Sequence, residues 1–228
     1  MKKTVILGLL FIVLINCGEF KIQDNVVSYD NLRFTVLSSG LIAVKPDSSA
    51  SGPYNFTSTD YKMEVRQKAN RLHISTGNCQ LIYSKGANPL VDRIQLQFTQ
   101  NGQTITTGIN SPDKQNLGGV IRSVDRFDGR LEYEQYNLNS DAHPVKIPKG
   151  LLSRRGWTVL KNVDGKLVHG DRKQSSEELF IFCYGNDYKA ALRDFTNLNG
   201  KIPLLPKWTL GNWFSRYQPD RKSTRLNS

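Results

Sequence analysis

Two stretches of the sequence combine charged side chains with glycines and an indole, which are residue types suited to binding a polar ligand. Residues 116–129 contain the pair Gly118-Gly119 followed by alternating charge, and residues 150–157 end in a tryptophan. Carboxylates and guanidinium groups make directional hydrogen bonds, while an indole offers a flat apolar face. The simpler interpretation is two hairpin connections whose arginines face solvent. The side chains with this chemistry are Asp125, Asp128, Arg154, Arg155 and Trp157.

The sequence gives little support for acid–base catalysis or for phosphate binding in this part of the chain. A Gly-Gly pair alone is a weak sign of phosphate binding, and its surroundings do not match a phosphate loop. Asp125 and Asp128 are three residues apart in a predicted loop. Glu132 and Glu134 share one face of a predicted strand, where solvation is the usual explanation. We therefore assign no catalytic residue within the chain.

The histidines and cysteines do not form a metal-site pattern. The sequence has no Cys-x-x-Cys motif and no His/Cys cluster, so we expect neither a metal nor a cofactor. His73, His143 and His169 are isolated, and we expect them to be structural or exposed. Cys79 and Cys183 lie about a hundred residues apart in strand-like surroundings. They fit either a disulfide of an exported protein or two buried free thiols.

Between residues 31 and 184 the sequence predicts strands almost throughout. Residues 32–36 and 94–98 alternate apolar with polar side chains, as a strand with one wet face does. Residues 179–184 are continuously apolar, so we expect this strand to lie centrally between two layers. Further short strands are predicted at Arg71–Ser75, Gln80–Tyr83, Thr104–Thr107 and Trp157–Leu160. Turns are predicted at Ser39–Gly40, Asn101–Gly102, Asp128–Gly129 and Asp164–Gly165. This pattern predicts a mainly β fold, a β-sandwich.

A short amphipathic helix follows the strands. Asn186 or Asp187 can cap its first turn, and Gly200 marks its end. Its apolar side chains recur at the spacing of one helix face. They are Tyr188, Ala191, Leu192, Phe195 and Leu198.

The segment after this helix predicts the start of another structural unit. Pro203 and Pro206 prevent the helix from continuing. Residues 208–214 are apolar and aromatic over about the length of a strand, which predicts a strand buried on both faces with Trp208 in the core. Either this strand pairs with the preceding ones, or the chain continues into a domain that covers it.

The two ends of the sequence carry signals unrelated to the fold. Residues 1–17 have a basic start and an apolar run too short for a typical membrane span, which predicts a secretory signal. Residues 14–18 resemble a bacterial lipobox in which Cys17 is lipidated, although Asn16 replaces the usual small residue. We expect export from a bacterial cell, to the periplasm or to a membrane through a lipid on Cys17. Residues 220–228 resemble a translated sequencing adaptor, so native sequence is expected to end near Pro219.

The formal charge of +11 does not indicate nucleic-acid binding. The leader and the last nine residues contribute four of these charges, which leaves about seven. The remaining basic residues are scattered, whereas a nucleic-acid site needs a basic stripe interleaved with aromatic rings. We expect no nucleic-acid partner.

Residues 116–129, 150–157 and 184–217, in this order and spacing, resemble the N-terminal region of bacterial members of glycoside hydrolase family 31. Residues 20–110 match only in strand character. The family consists of retaining α-glucosidases, α-xylosidases and relatives. The resemblance implies a galactose-mutarotase-like β-sandwich followed by the first strand of a truncated (β/α)8 barrel. The implied divisions are residues 1–17 (signal), 18–200 (sandwich and helix), 201–219 (linker and barrel start) and 220–228 (adaptor).

The resemblance also implies where the chemistry lies. The two carboxylates of a retaining glycosidase, about 5–5.5 Å apart, stand on later barrel strands beyond residue 219, so this chain alone is expected to be inert. The partner of the intact enzyme is an α-linked oligosaccharide or glycoside. In this family a loop of the sandwich helps to shape the subsite for the terminal sugar. The implied substrate contacts are Asp125, Asp128, Arg154, Arg155 and Trp157, with Arg216 and Tyr217 at the carboxyl end of the first barrel strand.

Two other functions stay open at this point. One is a free-standing carbohydrate-binding lipoprotein that is complete near residue 200, which needs an exposed aromatic platform on one sandwich face. The other is a mutarotase-like enzyme, which needs histidine and glutamate side chains converging in a cleft.

Overall fold

A computed structural model describes residues 20–48, 54, 61–119, 130, 132–136, 142–163, 166–169, 178–201 and 203–211. Regular structure in these residues consists of fourteen strands, one helix, α1 (Tyr188–Asn199), and two 3-10 helices, Leu90–Asp92 and Lys207–Leu210. No helix within these ranges is both long and apolar enough to cross a membrane.

The first sheet, called the large sheet, has seven antiparallel strands. Its last three positions are taken by strands from the second half of the chain, so it joins the start of the described chain to its end. In spatial order the strands are β1 (Lys21–Gln23), β2 (Val26–Tyr29), β3 (Leu32–Ser38), β4 (Leu41–Pro46), β14 (Glu178–Cys183), β12 (Trp157–Val163) and β13 (Lys166–His169).

The second sheet, called the small sheet, is a simple antiparallel meander. Its strands are β5 (Glu64–Lys68), β6 (Arg71–Ser75), β7 (Cys79–Ser84), β8 (Ile94–Gln100) and β9 (Gln103–Gly108). A separate hairpin pairs β10 (Glu132–Tyr136) with β11 (Ala142–Lys146).

The main hydrophobic core lies between the two sheets. Phe34 and Ile181 of the large sheet belong to the same buried cluster as Leu81 and Leu96 of the small sheet. Along β6 and β7, buried side chains alternate with partly exposed ones, so the small sheet has one wet face. The predicted mainly β fold with two packed antiparallel sheets is therefore confirmed.

Strand β14 is covered on both faces, as its unbroken apolar sequence predicts. It lies between β4 and β12. Leu179 and Ile181 point into the core between the sheets, while Phe180 and Phe182 belong to a second cluster on the outer face. Phe195 of α1 packs on that second cluster, so the helix covers part of the outer face of the large sheet.

The β8–β9 turn and both ends of α1 form at the residues that the sequence predicts. Asn101 and Gly102 form the tight β8–β9 turn with φ angles of 51° and 75°. The Asp187 side chain accepts a hydrogen bond from the Ala190 amide at 3.0 Å, which caps α1. Gly200 ends the helix with a φ of 92°. The turns predicted at residues 128–129 and 164–165 lie outside the described residues.

Two predictions about α1 and the segment after it were wrong. Leu192 is 48% exposed, and Asp194 is buried on the sheet side. The predicted strand at residues 208–214 begins instead as a 3-10 helix, and Trp208 is 69% exposed rather than in the core. Both the amide and the hydroxyl of Thr209 donate to the Pro206 carbonyl, at 3.0 and 2.7 Å, which winds the chain locally. No strand in the described ranges pairs with this segment.

Several short strands were not predicted: β1, β2, β4, β5, β11 and β13. The predictions for residues 1–17, including Cys17, and for residues 212–228 lie outside the described residues.

A tyrosine and a carboxylate join the two sheets. The Tyr83 hydroxyl on β7 donates to Asp30 in the β2–β3 turn at 2.6 Å. Arg93 donates to the same carboxylate at 3.3 Å and to the Tyr83 oxygen at 2.6 Å. The Asp30 charge is therefore balanced where it is largely removed from water.

A second pair fixes the helix to the large sheet. The Tyr184 hydroxyl donates to the buried Asp194 carboxylate of α1 and lies 3.1 Å from the Ser38 hydroxyl of β3. This contact explains why an aspartate, and not Leu192, occupies the sheet side of the helix.

A third pair lies on the outer face of the large sheet. The Tyr54 hydroxyl donates to Glu178 on β14, and Asn162 donates to the other carboxylate oxygen at 2.9 Å. The Lys45 ammonium, on a residue only 3% exposed, lies 4.0 Å from Glu178 and 5.6 Å from the centre of the Tyr54 ring. A buried charge is tolerated here because a counter-charge and a ring face it.

Burial raises the pKa of all three hydroxyls, Tyr54, Tyr83 and Tyr184, and the hydrogen bond to a carboxylate raises each further. A tyrosine whose pKa is higher in the folded state stabilises the fold fully below its unfolded pKa of about 10. That stabilisation is lost as the pH rises above this value.

The free energy of unfolding should therefore fall steeply as the pH rises above about 10. Substitution Tyr184→Phe should lower stability at neutral pH by about 1–3 kcal/mol, because the buried Asp194 carboxylate loses a donor. It should also reduce the alkaline loss, since one of the hydroxyls with a raised pKa is gone. Urea unfolding followed by circular dichroism across the alkaline range measures both effects.

Tyr188→Phe is the matched control, because no hydrogen bond joins the Tyr188 hydroxyl to another described residue. It should leave both quantities within about 0.5 kcal/mol of the unmodified protein. Equal behaviour of the two variants would contradict the role given to the Tyr184–Asp194 contact.

Candidate functional site

Residues 116–119, the described part of the first stretch singled out in the sequence, lie against the second stretch at one end of the sandwich. Asn116 and Ser153 form an isolated antiparallel bridge. The amide of Leu117 donates to the Leu152 carbonyl at 2.9 Å, and the amide of Gly119 donates to Pro148 at 2.7 Å. We call residues 111–119 and 147–157 the loop pair.

Asn116 holds the loop pair together with its side-chain amide. Its Oδ1 accepts from the amides of Gly118 and Gly150, at 3.0 and 2.7 Å. Its Nδ2 donates to the Gly150 carbonyl at 2.9 Å and to Asp113 at 3.1 Å. One side chain therefore fixes the backbone of both loops.

Asp113 has the same structural role on the other side. Its carboxylate accepts from the Gln115 amide at 2.9 Å and from the Ser153 hydroxyl at 3.0 Å, in addition to Asn116. The sequence analysis missed Asp113, Asn116 and Ser153. A signal was present, since aspartate and asparagine beside proline and glycine favour side-chain bonds to nearby backbone.

The glycines of the loop pair are explained by close backbone approach. A Cβ on Gly150 would lie 2.2 Å from the Gly118 carbonyl oxygen. Gly118 also has a φ of 84°, which other residues rarely adopt. The Gly-Gly pair thus lets two loops pack, and phosphate binding is not needed to account for it.

Arg155 and Trp157 are built into the structure of the loop pair. The Arg155 guanidinium donates to the Pro112 carbonyl at 2.5 Å and to the Thr107 hydroxyl at 3.2 Å. It also lies 5.2 Å from the centre of the Trp157 ring. Trp157 is 7% exposed and belongs to the core between the sheets.

Arg154 differs from its neighbour because its side chain is exposed. Its backbone is held at both ends: the amide donates to Gln115 at 3.0 Å, and the carbonyl accepts from Gln100 at 3.0 Å. Its guanidinium makes no hydrogen bond to another described residue. The fold therefore presents a fixed backbone with a solvent-facing cation.

Polar amides lie beside Arg154. Gln100, which donates to its carbonyl, also donates to the Asn186 side chain at 2.6 Å. Asn186 in turn donates to Asn101 at 2.5 Å, and both asparagines are exposed. We call Asn101, Arg154 and Asn186 the polar rim. Amides and guanidinium groups can donate to hydroxyl oxygens of a ligand.

The remaining predicted contacts, Asp125, Asp128, Arg216 and Tyr217, lie outside the described residues. In the part of the chain that is described, no three His, Cys, Asp or Glu side chains come together in a way that could hold a metal ion. A pocket between the loop pair and α1 has a volume of ≈ 210 Å³, open mouth included.

Substitution Gly150→Ala should destabilise the protein by about 1–3 kcal/mol, because the added methyl group overlaps the Gly118 carbonyl and forces the two loops apart. Gly86→Ala is the matched control, since a Cβ there would meet nothing within 4 Å. It should change stability by less than about 0.5 kcal/mol. Chemical unfolding of the two variants tests the difference, and equal effects would contradict the close packing of the loops.

Arg155→Ala should destabilise the protein by about 1–3 kcal/mol, since carbonyls of the loop pair lose their donor and Trp157 loses its cover. Arg154→Ala should change stability by less than about 0.5 kcal/mol, because it removes an exposed side chain. Thermal unfolding of both variants measures the contrast. A larger loss of stability for Arg154→Ala than for Arg155→Ala would show that the two neighbouring arginines have been assigned the wrong roles.

Comparison with known proteins gives one informative similarity. No protein-family model matches the chain. The sequence is 23% identical, over 226 residues, to the isomaltosyltransferase of Sporosarcina globispora. The alignment covers 90% of this chain and 19% of that relative. The chain therefore spans about a fifth of the length of the curated relative that it matches.

Proposed function

We propose that the chain is the N-terminal, non-catalytic part of a retaining enzyme of glycoside hydrolase family 31 that acts on an α-linked oligosaccharide or glycoside. The observation that carries this proposal is the similarity to a glycosyl-transferring enzyme along 90% of the chain, over only 19% of the relative. The two-sheet sandwich, closed by a capped helix, supports a galactose-mutarotase-like domain. The segment from residue 201 onward would then lead into a (β/α)8 barrel.

Three carboxylates of the sandwich are largely removed from water and engaged in hydrogen bonds. This supports the proposal that the catalytic carboxylates lie outside the sandwich. Asp30, Asp194 and Glu178 each accept a hydrogen bond from a tyrosine hydroxyl inside the fold. Groups engaged in this way stabilise the sandwich and are not free to attack a sugar or protonate a leaving group. We assign the two catalytic carboxylates of the proposed enzyme to the barrel, as the resemblance to the family implies.

The reaction itself would proceed through a covalent intermediate. A retaining enzyme uses one carboxylate as nucleophile to form a glycosyl-enzyme ester, while the second protonates the departing oxygen. Water then releases the sugar, which gives hydrolysis, or a hydroxyl of a second sugar accepts it, which gives transfer. Because the relative is named a transferase, the assay must detect transfer as well as hydrolysis.

The sandwich would contribute to the subsite through its loop end. The polar rim offers the exposed Arg154 guanidinium and two side-chain amides as donors to sugar hydroxyls. Asp125, Asp128, Arg216 and Tyr217 are proposed as further contacts. Arg155 and Trp157 would act indirectly, by fixing the loop that carries Arg154.

The location of the protein is part of the proposal. The basic and apolar leader of residues 1–17 supports export from a bacterial cell, with Cys17 as the residue that would carry a lipid anchor.

The experiment compares the 228-residue chain with the product of the uninterrupted gene. With nitrophenyl α-glucoside and with isomaltose plus an acceptor sugar, the full product should hydrolyse or transfer glucosyl groups, and the chain alone should do neither. In the full product, Arg154→Ala should lower kcat/KM by about tenfold, since a charged donor to a sugar hydroxyl is lost. Arg66→Ala, an exposed arginine on the wet face of the small sheet, is the control and should leave kcat/KM unchanged.

Three results would contradict the proposal. Turnover by the 228-residue chain alone would place the catalytic groups within it. A full product without activity on α-glycosides would remove the enzyme assignment. A gene that ends near residue 219, with oligosaccharide binding by the chain alone in calorimetry, would instead establish the carbohydrate-binding lipoprotein.

A further inference from the structure

The two described cysteines lie at the same end of the sandwich, on strands that face each other. Cys79 begins β7 in the small sheet, and Cys183 ends β14 in the large sheet. Both side chains belong to the buried cluster between the sheets, with exposures of 4% and 2%. Both are free thiols in the structure.

Hydrogen bonds through the β3–β4 turn hold the two cysteine backbones together. The Cys183 amide donates to the Gly40 carbonyl at 2.8 Å. The carbonyl of the preceding residue, Ser39, accepts from the Thr76 hydroxyl at 2.5 Å. The Thr76 amide donates to the Cys79 carbonyl at 2.9 Å. A single turn therefore ties the end of β14 to the start of β7.

The side chains meet across this junction. The Cys79 thiol is the neighbouring group that acts on the buried Cys183 thiol, and both side chains lie in the cluster between the sheets. Two buried cysteines on packed strands, at a junction held by backbone hydrogen bonds, are a suitable pair for a disulfide.

We propose that Cys79 and Cys183 form a disulfide that joins the two sheets when the chain folds in an oxidising compartment. The oxidant is another disulfide, either that of a thiol–disulfide oxidoreductase or oxidised glutathione. One cysteine attacks the oxidant as a thiolate, and a mixed disulfide forms while one thiol leaves. The second cysteine then attacks the mixed disulfide, so that one S–S bond forms in the protein and two thiols are released from the oxidant.

The burial and protonation state of the two thiols determine when, during folding, thiol–disulfide exchange occurs. Burial raises the pKa of the Cys183 thiol well above its usual value, and the adjacent Cys79 thiol raises it further. A buried, protonated thiol is a poor nucleophile. Exchange therefore takes place while the sheets are still assembling, and a chain that has already folded in the reduced state stays reduced for longer.

The disulfide would stabilise the fold because it closes a loop of about a hundred residues. The same pair of side chains left reduced would only fill space in the core. The two states are distinguished by counting thiols, and this inference holds whether or not the chain acts on carbohydrates.

The test refolds the reduced, unfolded 228-residue chain in a mixture of reduced and oxidised glutathione. Remaining thiols are then alkylated in denaturant and counted by intact mass. One alkylated cysteine, Cys17, is expected of the three in the sequence. Peptide mapping without reductant should recover the segments around Cys79 and Cys183 as one linked species. Three alkylated cysteines, glutathione attached to Cys79 or Cys183, or a link to Cys17 would overturn the proposal.

A second measurement uses the melting temperature of the refolded chain. A reductant should lower it by roughly 5–15 °C. The variant Cys17→Ala should show the same shift, and Cys79→Ala should show none. If the Cys79 variant does not fold, the linked peptide of the unmodified chain still decides the question. A melting temperature that does not respond to reductant would overturn the stabilising role.

Discussion

The double burial of strand β14 is the constraint on which the structure depends. Leu179 and Ile181 on one face need the small sheet, and Phe180 and Phe182 on the other need a separate cover. Each layer of the molecule satisfies one of these needs. Because β14 is contributed by the end of the described sandwich and pairs with β4 from its beginning, the core cannot close until both parts of the chain are in place.

Packing the sheets and the helix on one another also removes carboxylates from water, and the same kind of contact stabilises three of them. A tyrosine hydroxyl donates to a carboxylate at the sheet–sheet junction, at the helix and on the outer face. A tyrosine fills space with its ring while its hydroxyl satisfies an acceptor that an aliphatic side chain would leave unpaired. These contacts place the helix and the turns as firmly as apolar packing does.

The sequence predicts the parts of this fold that depend on local patterns. Alternation identified β3 and β8, and the Asp187 and Gly200 caps located the helix. The errors arose where tertiary contacts override the pattern. Leu192 fits the apolar face of the helix by spacing, yet Asp194 takes the sheet side because Tyr184 is its partner. The apolar run beginning at Trp208 resembles a strand, but a strand also needs a neighbour to pair with, and spacing alone does not supply one.

The loop pair shows the same limit at the candidate site. Arg154 and Arg155 are neighbours of the same residue type, but their side chains differ in the structure. Arg155 donates to loop carbonyls and stacks on Trp157, whereas Arg154 faces solvent. Both arginines lie between Gly150, whose backbone approaches the facing loop closely, and the core strand β12, so the backbone that carries them is fixed. A rigid loop with an exposed cation loses little conformational entropy when it orients a hydroxyl-bearing ligand. Rigidity at this position therefore favours a positioning role for the sandwich and leaves the bond-breaking chemistry to another part of the proposed enzyme.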